Sequence, residues 1–153
     1  MRPCVVCNQS TEYVPICTTC MVRRFSVCIR ASPLHGKGLF ATQYIPPNTL
    51  IVPYSGILLS DAQVCSQYPE GGDYLIASPE SRFYINAQYP DGCLGVGGMA
   101  NHSSAPNAAL EYTDLTSQLT QPCFEPIWIR AIHPIEAGME IVVDYGCRYW
   151  RSD

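Results

Sequence analysis

Four of the nine cysteines in this 153-residue chain stand as two C-x-x-C pairs, Cys4-Val5-Val6-Cys7 and Cys17-Thr18-Thr19-Cys20, separated by nine residues. A two-residue spacer lets both thiolates of one turn face a common centre, and two such turns supply the four sulfurs of a tetrahedral zinc site. An odd cysteine count without an export signal argues for reduced thiols or metal ligands rather than a fully paired disulfide framework. Cys4, Cys7, Cys17 and Cys20 are therefore the expected zinc ligands; unliganded thiols packed as small hydrophobes are the alternative. Cys28 has no partner at comparable spacing and is expected to be buried. The nine-residue loop cannot hold a core of its own, so metal would supply much of this segment's folding free energy. A second chemical passage is Gly95-Val96-Gly97-Gly98, leading into Met99-Ala100-Asn101-His102-Ser103-Ser104-Ala105-Pro106-Asn107. Such glycines let backbone approach backbone or ligand, and Asn-His-Ser offers donors and acceptors within one turn. Neither this passage nor Gly36-Lys37-Gly38 forms a dinucleotide fingerprint. Taken alone, Asn101 and Asn107 read as turn residues, His102 as a hydrogen-bonded histidine and Tyr145 as a strand-end core residue.

The elements that must position these residues are short. With 47% hydrophobic and 14% charged residues, the chain has the profile of one globular domain that buries about two-thirds of its unfolded surface. Thirteen prolines and eleven glycines exclude a bundle of long helices. Strands are expected at Leu50–Val52, Tyr74–Ile76, Phe83–Ile85, Asn107–Tyr112, Ile127–Ile132 and Met139–Val143. Turns are expected at Pro46-Pro47-Asn48 and Glu136-Ala137-Gly138, and a helix starting after Ser60 as N-cap. No apolar run approaches the roughly 18 residues of a membrane span, and MRPCVVCNQS lacks a signal-peptide core, so an intracellular protein without membrane contact is expected. The formal charge of −4 divides into +3 over residues 1–30 and −7 over the remainder. An acidic body favours a cationic partner, whereas four N-terminal arginines are few for nucleic-acid binding.

Six fragments, in order, resemble one family, the SET-domain protein lysine methyltransferases, over roughly residues 29–151. His35-Gly36-Lys37-Gly38-Leu39-Phe40-Ala41 looks like the family's first glycine motif. Tyr54-Ser55-Gly56-Ile57 is similar to its Tyr-x-Gly-Glu segment, and Phe83-Tyr84-Ile85-Asn86-Ala87 to its Tyr-x-Ile-Asp-Ala strand. Asn101-His102-Ser103 with Pro106-Asn107 resembles the Asn-His-Ser-x-x-Pro-Asn motif. Gly138-Met139-Glu140-Ile141-Val142-Val143-Asp144-Tyr145-Gly146 resembles Gly-Glu-Glu-Leu-x-x-Asp-Tyr-Gly, and Arg148-Tyr149-Trp150 the aromatic tail beyond it. The resemblance implies a mainly β fold of several small sheets with a C-terminal pseudoknot (residues 29–153), preceded by a Cys4 zinc knuckle (residues 1–28). It also implies S-adenosylmethionine contacts at Lys37, Gly38, Tyr74, Asn101, His102 and Trp150, Tyr145 as the catalytic tyrosine, and a lysine channel lined by Tyr54, Val143 and Tyr149. Asp144, Glu140, His35 and His133 are expected to be structural.

The departures from the pattern are specific. Position 57 is Ile where Glu is frequent, position 86 Asn where Asp is usual, and Gly98-Met99-Ala100 replaces Arg-Phe-x. Val143 stands where a bulkier aromatic usually narrows the channel. Only Cys147 follows the Tyr-Gly motif, so the usual post-SET zinc cluster is not expected, and closure over the cofactor is expected to need a partner chain, a second copy or the knuckle. The resulting expectation is a nuclear lysine methyltransferase acting on a histone or other basic tail within a chromatin complex. A catalytically silent SET fold serving as an interaction subunit is the alternative.

Overall fold

Proline and glycine leave few stretches long enough for an extended element, and no helix or strand exceeds eight residues among those described. In the computed structural model these are residues 3–11, 14–78, 83–112 and 127–144. In chain order the elements are α1 (Thr18–Phe25), β1 (Val27–Ala31), β2 (Lys37–Ala41), β3 (Leu50–Pro53), β4 (Ile57–Leu59), α2 (Asp61–Gln67), β5 (Leu75–Ala77), β6 (Tyr84–Asn86), β7 (Asn101–His102), β8 (Ala108–Tyr112), β9 (Ile127–Ala131) and β10 (Glu140–Val143). A 3-10 turn, Val96–Met99, precedes β7. The chain is thus mainly β, as its composition implies.

Two sheets carry the fold. The larger runs β1-β2-β10-β8-β9-β3, with β7 also against β10; the smaller runs β4-β6-β5. β10 lies antiparallel to β2 and parallel to both β7 and β8. Its Ile141, Val142 and Val143 are all buried, as expected of a strand covered on both faces. β9 instead alternates, burying Ile127, Ile129 and Ala131 while Trp128 and Arg130 face outward. Both expected turns form: Asn48 and Gly138 take positive φ of 69° and 89°, which asparagine and glycine tolerate best.

Ser60 caps α2 in a reciprocal capping box, its Oγ accepting from Gln63 N at 3.1 Å while Gln63 Oε1 accepts from Ser60 N at 2.8 Å. Helix α1 has no counterpart in the sequence reading. Eight residues are too few to hold a helix in water, and α1 is held instead by burying Cys20 and Met21. Apolar side chains from both sides of residue 28 join one cluster: Cys4, Val14, Ile16, Cys20 and Met21 pack with Val27, Leu39, Ile141 and Val143. A smaller cluster beneath α2 holds Leu59, Val64, Leu75 and Tyr84. No helix among the described residues is long and apolar enough to cross a membrane.

Candidate functional site

Cys17 opens α1 as its N-cap residue and Cys20 sits on the first turn, while Cys4 and Cys7 occupy a tight turn in which Asn8 N donates to Cys4 O at 3.0 Å. The four sulfurs lie within 4.8 Å of one another, with Cys7 and Cys17 Sγ at 3.6 Å. Zinc–sulfur bonds of about 2.3 Å set tetrahedral edges of about 3.8 Å, so this cluster can hold a metal ion with small adjustments. Burial raises the Cys4 thiol, but backbone N–H groups of Cys17, Cys7 and Val6 outweigh it and bring the pKa down to about 6. Burial and the neighbouring thiols push Cys20 up to about 12. A thiolate ringed by N–H donors is the environment a metal-ligating sulfur needs.

The Asn-His turn and the end of β10, about forty residues apart in sequence, lie side by side. Asn101 pairs with Val142 and His102 with Val143 in parallel register. Asn107 fastens them: its Nδ2 donates to Glu140 O at 2.8 Å and its Oδ1 accepts from Val142 N at 3.0 Å. His102 Nδ1 stands 3.7 Å from Asp144 Oδ1, both about half exposed, a contact of small energetic weight. Glu140 accepts from Ser32 Oγ at 2.8 Å and from Asn101 Nδ2 at 2.9 Å. Asn101 Nδ2 also lies within donating distance of His35 O at 3.0 Å and Lys37 O at 3.2 Å, so its two amide hydrogens are shared between Glu140 and the loop leading into β2.

That loop, the segment before β5 and the Asn-His turn enclose a cavity of about 430 Å³, in the size range of small-molecule sites. Leu34, Leu94, Met99 and Tyr74 give it apolar and aromatic walls; His35, Lys37, Asp73, Asn101 and His102 give it polar and charged ones. Of the residues expected to touch a cofactor, Lys37, Tyr74, Asn101 and His102 line this one cavity. Gly38 lies behind it, buried beneath Glu140 and Asn101. Tyr54 is in the core, its hydroxyl donating to Tyr74 O at 2.8 Å, and Val143 is fully buried in β10. Trp150, Tyr145 and Tyr149 lie outside the described residues. Asp73 was not singled out by sequence, since one of thirteen acids carries no spacing signal, and His35, expected to be structural, also lines the cavity.

A Cβ on Gly38 would sit 2.2 Å from Glu140 Oε2 and 3.1 Å from Asn101 Nδ2. Gly38→Ala is therefore expected to displace this network and cost about 2 kcal/mol, the usual range for overpacking a filled site, measured as a loss in urea-unfolding free energy. An unchanged unfolding midpoint would show that Glu140 swings aside freely.

A mainly β fold of small curled sheets, with a glycine-flanked cavity beside the junction of two distant motifs, defines the class. The SET domain family model matches residues 36–146, and the chain belongs to that family. SET-domain proteins are in general S-adenosylmethionine-dependent lysine methyltransferases. The fold is also similar to the crystal structure of a Plasmodium falciparum candidate histone methyltransferase, with a TM-score of 0.57 and 23% identity over 80% of this chain and 95% of the other.

Proposed function

We propose that this chain is an S-adenosylmethionine-dependent protein lysine N-methyltransferase acting on a histone or other basic tail. Its cofactor would be held by Lys37, Gly38, Tyr74, Asn101, His102 and Trp150. The observation that carries the reading is the cavity beside the paired Asn101-His102 and Val142-Val143 segments, whose next residues are Asp144 and Tyr145. The lining fits the cofactor's chemistry: apolar and aromatic walls suit a nucleoside, charged ones an amino-acid end.

S-adenosylmethionine supplies a methyl group already activated on a sulfonium. The chain's task is to align a neutral amine with it. A lysine with its ordinary pKa near 10.4 is neutral in about one molecule per thousand or fewer at pH 7, so the site must favour deprotonation. An apolar channel of Tyr54, Tyr149 and Val143 would desolvate the ammonium and lower that pKa. The proton then leaves to solvent, and Tyr145, through its hydroxyl, orients the amine lone pair. Asp144 stands half exposed beside His102, where it serves the turn rather than a base's role. Zinc in the Cys4, Cys7, Cys17 and Cys20 cluster would act structurally, completing a knuckle over residues 1–28 ahead of a SET domain over 29–153. A nuclear location and a chromatin partner protein extend this reading from the family resemblance and the acidic body.

The test is incubation with labelled S-adenosylmethionine and separated histones, beside Tyr145→Phe, with calorimetric cofactor titration of both proteins. Wild type should transfer label, and Tyr145→Phe should transfer it at least about tenfold more slowly with unchanged cofactor affinity, the loss expected for one orienting hydrogen bond. Equal labelling would remove Tyr145 from catalysis. No heat of binding would leave the silent interaction subunit.

A further inference from the structure

Among the described residues, one carboxylate lines the cavity: Asp73, immediately before Tyr74. It is exposed, and no hydrogen bond or ion pair joins it to any described residue. Lys37, the only lysine of the chain, lines the same cavity from the start of β2. Gly98 forms the wall beside Tyr74, where a Cβ would lie 3.7 Å from Tyr74 Cδ1 and only 3.0 Å from Ala87 Cβ. Lys37 and Asp73 put one cationic and one anionic side chain on the cavity wall, the complement of a zwitterion.

We propose that Asp73 is a specificity-determining residue that pairs with the α-ammonium of the cofactor's amino-acid end. This rests on the S-adenosylmethionine reading above. The ammonium is a better partner than the sulfonium, because an anion beside the sulfonium would weaken the repulsion that lowers the substrate lysine's pKa.

Three ligands separate the cases by calorimetry: S-adenosylmethionine; S-adenosylhomocysteine, which keeps the amino-acid end but has no sulfonium; and methylthioadenosine, which has neither. Asp73→Asn should weaken the first two alike, by about threefold to tenfold for a solvent-screened charged hydrogen bond, and leave methylthioadenosine unchanged. Asp73→Glu should recover part of the loss. A fall confined to S-adenosylmethionine would move the anion to the sulfonium and overturn the assignment. Equal weakening of all three ligands, or of none, would also overturn it. Wild-type protein that binds none of them would remove the cofactor reading itself, an outcome distinct from a silent substitution. Because Asp73 is exposed, both variants should melt as wild type does, which circular dichroism checks.

Discussion

Stripping metal from the four-cysteine cluster will lower the melting temperature of the whole domain, by more than about 10 °C. Cys4 and Cys20 are each 3% exposed and belong to the same apolar cluster as Leu39 and Ile141, so the N-terminal segment cannot loosen without exposing the large sheet. Structural zinc contributes about 10 kcal/mol or more to zinc-finger peptides, and even half of that rivals the total stability of an ordinary domain. At about 2 to 4 °C per kcal/mol for a chain of this size, such a loss exceeds the threshold stated. Cys20→Ser should reproduce the effect and reduce the zinc content of purified protein from one ion per chain to none. Because the thiols must be deprotonated to bind, acid should release the metal, so its stabilising contribution shrinks as pH falls. Metal-free protein that melts where zinc-loaded protein does would show that thiol packing alone holds this segment.

Asn107→Ala is expected to destabilise by about 3 kcal/mol, a fall of about 6 to 12 °C in melting temperature. Its carboxamide adds two hydrogen bonds to the main chain of β10, beside those that Ser103 N and Asn107 N donate to Val143 O and Val142 O. Each bond contributes about 1 kcal/mol net, and removing the side chain also strands Glu140 O and Val142 N within a sheet that is buried there. Asn107→Asp should not rescue, since a carboxylate oxygen would face Glu140 O where an N–H donor now stands. Cofactor affinity should fall together with stability, because the parallel register that places Asn101 and His102 runs along the same stretch of β10. A stability change below about 0.5 kcal/mol would mean that the strand pairing needs no peg.

The strands were legible where β-branched and aromatic runs lie between turn residues. Leu50–Val52, Phe83–Ile85 and Ile127–Ile132 each fall on an observed strand within a residue or two. Lys37–Ala41 and Asn101–His102 were not, because glycine and polar residues pair there only once a partner strand presents its edge. Helix α1 was hidden for a similar reason: Thr-Thr-Cys-Met-Val-Arg-Arg-Phe has no strong local preference, and its conformation is chosen by what Cys20 and Met21 bury.

By itself the order of residues determined the local chemistry: paired cysteines at ligand spacing, glycines where backbones must touch, a cap at Ser60, and the six fragments by which the family is known. These depend on neighbours a few residues away, so they survive in a one-dimensional reading. Tertiary structure alone decided which polar groups are spent and which remain for a ligand. Asn101 gives both amide hydrogens to the loop and Glu140, while Asp73, unremarkable in the sequence, stands unpaired in the cavity. A hydrogen bond is settled by distances of about 3 Å between groups far apart in the chain, and nothing in their spacing encodes that.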